Sequence, residues 1–277
     1  MQPLRISGSG SVPDSNTPYP TEESRCYVPQ DRVVGEGPTA QRNIFGKRLS
    51  ECTDLSLFEK TQLAEFDKKC ESSDDTIGGE DTQKLRFLQG CSWNIENALR
   101  SYHEYISWKT TVTFDFRQLE KSYSAAYWYG HDKCQRPILY MHCNELLAFR
   151  NSQTTAGGIS QLLLTHIQFF VQELSVPDHV EQLVTIVDLK DFPLWEAPVG
   201  EFKILASTLS SYFRARLNKV FLINTPFVFY GLWQAIQVFI PERTLAKIII
   251  LSTDYVSNLL HQIDIDKLSP RIVLATE

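Results

Sequence analysis

Residues 218–252 can fold in very few ways. Residues 219–224 read Lys-Val-Phe-Leu-Ile-Asn and residues 246–252 read Ala-Lys-Ile-Ile-Ile-Leu-Ser. Both are short apolar runs rich in β-branched residues, which suits strands covered on both faces. Between them residues 227–240 run too long for a strand and read as a helix. Two strands joined through a helix form a parallel pair with a crossover connection.

That helix is the unusual part. It carries no charge. Its polar residues Tyr230, Gln234 and Gln237 are spaced four and three apart and share one thin face. The rest of its surface includes Phe227, Phe229, Leu232, Trp233, Ile236 and Phe239. Leaving such side chains in water costs ~1.5–3 kcal/mol each. At about 1.5 Å per residue the segment is roughly 21 Å long, too short to span a bilayer. On pattern alone it is either an interior crossover helix, a lid over an apolar ligand, or a surface that touches a membrane.

The 277 residues are 43% hydrophobic, enough for a sizeable core, and 12% aromatic, which fits large apolar cavities or flat contacts. Net charge is -6 and there is no basic run, so nucleic acid is not an expected partner. The cysteines at 26, 52, 70, 91, 134 and 143 are scattered without a Cys-x-x-Cys pair, and no Asn-x-Ser/Thr sequon occurs. Both features fit a reducing compartment. Met1-Gln-Pro-Leu-Arg lacks the apolar core of a signal peptide, Gln2 rules out the myristoyl motif, and Ala-Thr-Glu at the end is no prenyl box. A soluble, cytoplasmic monomer is expected.

Read in order, residues 1–40 are rich in Ser, Gly, Pro and Thr and predict a disordered tail. Residues 41–110 predict a helical unit. Leu55, Phe58, Leu63 and Phe66 recur loosely at helical spacing; after an acidic linker, Leu85, Leu88 and Cys91 share a second face. Asn94 is a favoured N-cap for a third helix carrying Ile95, Leu99, Tyr102 and Ile106, with Trp93 as staple residue. Residues 111–277 then alternate. Strands are expected at 137–143, 183–189, 219–224 and 246–252, and helices at 157–174, 199–212, 227–240 and 254–263. The fold class is therefore α/β, a small N-terminal all-helical unit packed on a mostly parallel sheet covered by helices.

Few residues point to catalysis. There is no Gly-x-Gly-x-x-Gly, Walker loop, Gly-x-Ser-x-Gly or His-Glu-x-x-His. His131, Cys134, His142 and Cys143 suggest zinc, but adjacent strand residues face opposite ways, so His142 and Cys143 cannot readily share a metal. Asp188 ends a strand, where ligands of open α/β sheets gather, yet no base, nucleophile or anion cradle accompanies it. Lys247, with Thr244 three residues before it, can hold a phosphate as a point charge plus a hydroxyl donor; a solvated lysine at a strand start is the plain alternative.

Several stretches together resemble the CRAL-TRIO lipid-binding and lipid-transfer family. They are Leu85-Arg-Phe-Leu88 and Trp93-Asn-Ile-Glu-Asn-Ala98, the turn Asp132-Lys133-x-x-Arg136-Pro137, and the strand Thr185-Ile-Val-Asp-Leu-Lys190. Ile223-Asn-Thr-Pro226 with the aromatic helix after it, and Arg243-Thr-Leu-Ala-Lys-Ile248, follow in family order. The resemblance implies an apolar lipid pocket closed by a gate helix at 227–240. It assigns Trp128, Phe227, Phe229, Leu232, Trp233, Ile236 and Phe239 to pocket and gate. In members that hold phosphatidylinositol, a Thr and a Lys after the gate contact the head, and Thr244 and Lys247 match them. A central-strand Thr contacts a phosphocholine head, and Thr185 matches; its family Ser neighbour is Leu183 here.

Other positions depart from the family. The basic run after Arg-Phe-Leu is Gln89-Gly-Cys-Ser92, and Tyr-Pro-Glu-Arg is Phe213-Arg-Ala-Arg216, so the Glu that pairs with the gate lysine in relatives is Ala215. The family's Gly-Gly after the last Leu-Pro is gone, and the chain reads Leu268-Ser-Pro-Arg-Ile.

The leading expectation is non-enzymatic binding and intermembrane transfer or presentation of one phospholipid or isoprenoid-like lipid, phosphatidylinositol or phosphatidylcholine included. No cofactor is expected beyond the bound lipid, and the membrane contact is transient. The alternative is an interaction scaffold of the same fold with a vestigial pocket, recruiting a protein partner through residues 1–40. A third reading, an enzyme built on Asp188, has least behind it.

Overall fold

The computed structural model describes residues 18–26, 55–72, 81–152, 158–177, 179–252 and 254–274. Of the expected tail, residues 1–17 and 27–40 lie outside them, as do residues 41–54 of the helical unit and most of the acidic linker. Residues 18–26 depart from the expectation of a disordered tail. They form a short helix, α1 (Glu22–Cys26), capped by Thr21, whose hydroxyl accepts from Ser24 N–H at 3.1 Å. Tyr19 packs edge-on to Phe169, with ring centroids 6.5 Å apart. The segment lies against Tyr129, Gly130 and Leu174. Local Ser/Pro composition does not reveal docking onto a distant sheet edge.

The helical unit comprises α2 (Leu57–Ser72), α3 (Asp81–Gly90) and α4 (Ile95–Thr111). Asn94 caps α4 as expected, its side chain accepting from Asn97 N–H at 2.9 Å. Phe66, Leu85, Leu88, Trp93 and Tyr102 form one buried cluster at the centre. The unit leans on the rest of the chain through Trp108, whose ring stacks on Tyr212 at 4.4 Å. It is also pinned by buried Arg86, whose Nη2 donates to Glu181 at 2.6 Å.

The sheet has five strands in the order β1-β2-β3-β4-β5. They are β1 (Ala126–His131), β2 (Pro137–His142), β3 (Leu183–Asp188), β4 (Leu217–Ile223) and β5 (Ile248–Ile250). β2 to β5 pair in parallel, as the alternating pattern predicts. β1 is antiparallel to β2 and precedes the first strand expected from the sequence. The remaining helices are α5 (Arg117–Lys121), α6 (Cys143–Ser152), α7 (Gly158–Phe169) with a π-helical extension over Phe170–Leu174, and α8 (Val199–Tyr212). After them come α9 (Phe229–Gln237), α10 (Glu242–Leu245), α11 (Tyr255–Leu260) and α12 (Pro270–Val273). The packing between α7 and α8 requires a glycine. Gly158 has φ +50, and a Cβ there would stand 2.5 Å from the Glu201 carboxylate that accepts from Ile159 N–H at 2.8 Å.

Side chains alternate across each strand, so the two faces of the sheet meet different surroundings. Tyr140, Ile186, Phe221 and Ile223 face a dry core closed by Tyr255 and Leu259 of α11 and Ile272 of α12. The opposite face carries the row Leu139, Thr185, Val220 and Ile248 and, two residues on, Met141, Val187, Leu222 and Ile250. Buried clusters cover parts of that second face, one around Leu139, Ile167 and Leu183 and one around Leu222, Leu189 and Phe229.

Candidate functional site

A cavity of about 1470 Å³ stands on this second face, larger than the ~300–1,000 Å³ usual for small-molecule pockets. The sheet is its floor. Phe202, Leu205, Ala206 and Leu209 of α8 form one wall, and Leu232, Trp233 and Ile236 of α9 another. The cavity explains an oddity of burial. α8 is apolar in sequence, yet it has no fully buried residue, because its inner face borders open space.

The uncharged helix is α9, shorter than the sequence suggested. Phe229 at its start is buried and stacks on Trp233 at 6.1 Å. Phe229, Leu232, Trp233, Ile236 and Phe239 line the cavity, and Lys203 sits 4.9 Å above the Phe239 ring. Phe227 does not line it. It precedes the first helical turn and is 89% exposed, turned to solvent together with Val228 and Tyr230.

Trp128 also stands apart from the lining. It pairs with Leu139 in register, so it points to the cavity face, but it lies on the outer strand beneath the end of α7. There it stacks on Phe170 with ring centroids 6.0 Å apart. Its Nε1 and both ring nitrogens of neighbouring His166 are buried without a hydrogen-bond partner among the described residues. Burial pushes the His166 pKa down to about 3. His166 is therefore neutral in the fold, whereas the unfolded chain protonates it near pH 6.5. Its contribution is complete above that pH and falls by about 1.4 kcal/mol per unit as pH drops from 6.5 towards 3. Urea melts at pH 7 and pH 5 should show this loss, and His166→Leu should flatten it; equal slopes in both proteins would refute the assignment.

The three expected head-group residues all line the cavity. Thr185 is buried at mid-floor. Thr244 belongs to α10, and Lys247 immediately precedes β5. Lys247 is not a solvated lysine. Its Nζ donates to Leu217 C=O at 2.6 Å. Burial, then Arg243 and Arg136, hold its pKa below the usual lysine range. Ala215, where relatives carry the acid, also lines the cavity. Polar residues that stand just ahead of strands, namely Gln182, Arg216 and Lys247, gather at this end. That position is the signal the sequence offers for these three, and Arg214 and Arg243, which also line the cavity, carry no such signal.

Asp188 does not line the cavity. Its carboxylate accepts from His142 Nδ1 at 3.2 Å, Asn224 Nδ2 at 2.8 Å and Lys190 N–H at 2.9 Å. Burial raises its pKa, but the hydrogen bonds from His142 and Asn224 outweigh burial and hold it low. The group ties the end of β3 to the turn before α9, where Asn224 takes φ 54. Cys143 does reach the cavity, and burial with a smaller push from Asp188 raises its thiol to about 12, so it is protonated at neutral pH. His142 and Cys143 face apart, and no group of three or more metal-ligating side chains occurs among the described residues.

The architecture defines an α/β protein with a large, mainly apolar cavity beneath an uncharged helix. The chain belongs to the CRAL/TRIO domain family, whose model matches residues 121–271, more than half of its length. It is 27% identical over 236 residues to the SEC14 cytosolic factor of Kluyveromyces lactis, covering 78% of this chain and 77% of that protein. To the phosphatidylinositol/phosphatidylcholine transfer protein SFH11 of Arabidopsis thaliana it is 23% identical, covering 67% and 54%. The crystal structure of Sfh5 superposes with a TM-score of 0.54 at 12% identity, over 70% of this chain and 80% of that one, and so shares the fold. The chain spans less than two thirds of several curated relatives it matches, down to 23% of one.

Proposed function

We propose that this protein binds a single lipid, its chains in the cavity beneath α9 and its head at the end marked by Thr244 and Lys247, and exchanges that lipid at membranes. The observation that carries this reading is the cavity itself. Its floor is the apolar second face of the sheet, and its lid is a helix with no charge on either face. Each methylene buried there contributes about 0.8 kcal/mol before costs. Phosphatidylinositol and phosphatidylcholine, the two lipids after which one relative is named as a transfer protein, are the first candidates. No helix among the described residues is long and apolar enough to cross a membrane. Contact with a bilayer then falls to exposed Phe227, Val228 and Tyr230 at the start of α9. A scaffold with a vestigial pocket would have this space filled by side chains.

The test is solvent extraction of the purified protein and mass spectrometry of what it carries, followed by uptake from liposomes. One lipid per chain is expected. A protein with no bound lipid that takes none from liposomes would end this reading.

A further inference from the structure

A buried chain of hydrogen bonds runs along the packed face of the sheet, away from the cavity. Its members come from five places. Ser269 precedes α12, Tyr127 is on β1, His142 ends β2, Asp188 ends β3 and Asn224 follows β4. Strand register aligns them, since His142 pairs with Asp188, and Asp188 with Ile223, the residue before Asn224. Ser269 Oγ lies 2.7 Å from the Tyr127 hydroxyl, which lies 3.4 Å from His142 Nε2. His142 Nδ1 donates to one Asp188 oxygen at 3.2 Å, and Asn224 Nδ2 donates to the other at 2.8 Å. Ser269, Tyr127, His142 and Asp188 are all buried, and none of the five residues lines the cavity.

The chemistry gives this chain one direction. A carboxylate only accepts, so the Nδ1 that meets Asp188 carries a proton. In the neutral ring Nε2 is then the acceptor, the Tyr127 O–H donates to it, and the Ser269 O–H donates to Tyr127. Burial pushes the Tyr127 hydroxyl up to about 12, so it keeps its proton for this bond at neutral pH. The Tyr127 ring is held in place by stacking on Tyr140 and His142, with centroids 5.3 and 5.8 Å away. The Tyr140 hydroxyl in turn accepts from Ser269 N–H at 3.1 Å. The Ser269 side chain makes no cap bond to α12, so its hydroxyl serves the chain instead. Bonds that lead one into the next towards a buried charge polarise and orient one another.

Asn224 carries the effect to the cavity's lid. It takes φ 54, a left-handed conformation that asparagine tolerates better than most residues. At this turn the backbone leaves β4 for α9. The next residue, Thr225, is fixed to Leu251 C=O by its N–H at 3.3 Å and by its hydroxyl at 2.9 Å. Asp188 holds one side of the turn, and the end of β5 holds the other. We infer that Tyr127, His142 and Ser269 are positioning residues for α9, which act through Asp188 and Asn224 to steady the turn and so slow ligand exchange beneath the helix. The inference rests on the lipid-binding reading above and adds to it residues that lie outside the cavity.

The experiment uses the whole, lipid-loaded chain mixed with vesicles of deuterated phosphatidylcholine and phosphatidylinositol. Mass spectrometry gives the rate at which deuterated lipid appears on the protein and the lipid held per chain. Tyr127→Phe breaks the chain at its middle. Asn224→Gly removes the last donor and keeps a residue at ease with positive φ. Each should speed exchange about fivefold, the effect of losing one such bond, with lipid per chain unchanged at saturation. The double variant should be no faster than the faster single one, because both cut the same chain. Leu259→Val, which loosens the same core without touching the chain, should exchange at the unaltered rate. Single variants at the unaltered rate, a double variant whose gain is the product of the two, or a Leu259→Val protein as fast as they are overturns the inference and leaves lipid binding standing. If Asn224→Gly loses its melting transition, Ser269→Ala replaces it in the cycle, with the same non-additivity expected. An unaltered protein that takes up neither lipid overturns the lipid-binding reading itself.

Discussion

Val187→Asp should abolish lipid uptake while sparing the fold, and Ile186→Asp, one residue earlier, should prevent folding. The two positions sit side by side on β3 and face opposite ways. Ile186 is 1% exposed in the packed core with Phe221 and Tyr140. A carboxylate there has neither partner nor water, and burying it costs several kcal/mol. Val187 lines the cavity between Met141 and Leu222. Its carboxylate stays wet while the cavity is empty. It must be desolvated or protonated once an acyl chain covers it, at about 1.4 kcal/mol per pKa unit, so uptake should fall at least about a hundredfold. Circular dichroism melts and liposome uptake measure the two effects. A Val187→Asp protein that loads lipid normally would show that the second face of the sheet is not where the chains lie.

Glu181→Leu should destabilise the protein by about 3–5 kcal/mol, the usual effect of removing one partner from a buried ion pair. Glu181 is 6% exposed and Arg86 2%. The Arg86 guanidinium would lose the carboxylate that Nη2 donates to, and Arg216 already disfavours its charge. Replacing both, Arg86→Met with Glu181→Leu, should recover much of that loss, because an apolar pair of similar volume leaves no charge buried. Urea unfolding of the four proteins gives the cycle. A single variant as stable as the unaltered protein would mean that the pair is not what holds α3 against the start of β3.

Much of this was legible from residues alone. Asn94 capping α4, the bounds of α8, and the apolar runs that became β2, β3 and β4 follow from local periodicity and capping chemistry. β1 was missed for a physical reason. Its sequence Ala-Tyr-Trp-Tyr-Gly-His is bulky at most positions and has no alternation, so only its pairing with β2 makes it a strand. α6 was missed because it begins at Cys143, directly where β2 ends, with no turn residue between. Trp128 and Phe227 show the limit of reading a site from composition. Both are large and apolar beside the right elements, and the fold turns one under α7 and the other out to solvent.

By itself the sequence determined the parallel alternation and the uncharged helix, since these depend on period and charge, while Thr185, Thr244 and Lys247 were marked by the resemblance to the family. Tertiary structure decided what the uncharged helix is for. A helix apolar nearly all round satisfies the same pattern whether it is packed solid or roofs a cavity, because periodicity records which residues avoid water and not what replaces it. Tertiary structure also decided the character of the cavity's polar end. Arg86 of α3 and Arg216 just ahead of β4 are far apart in the chain, and only the fold sets the one charge against the other.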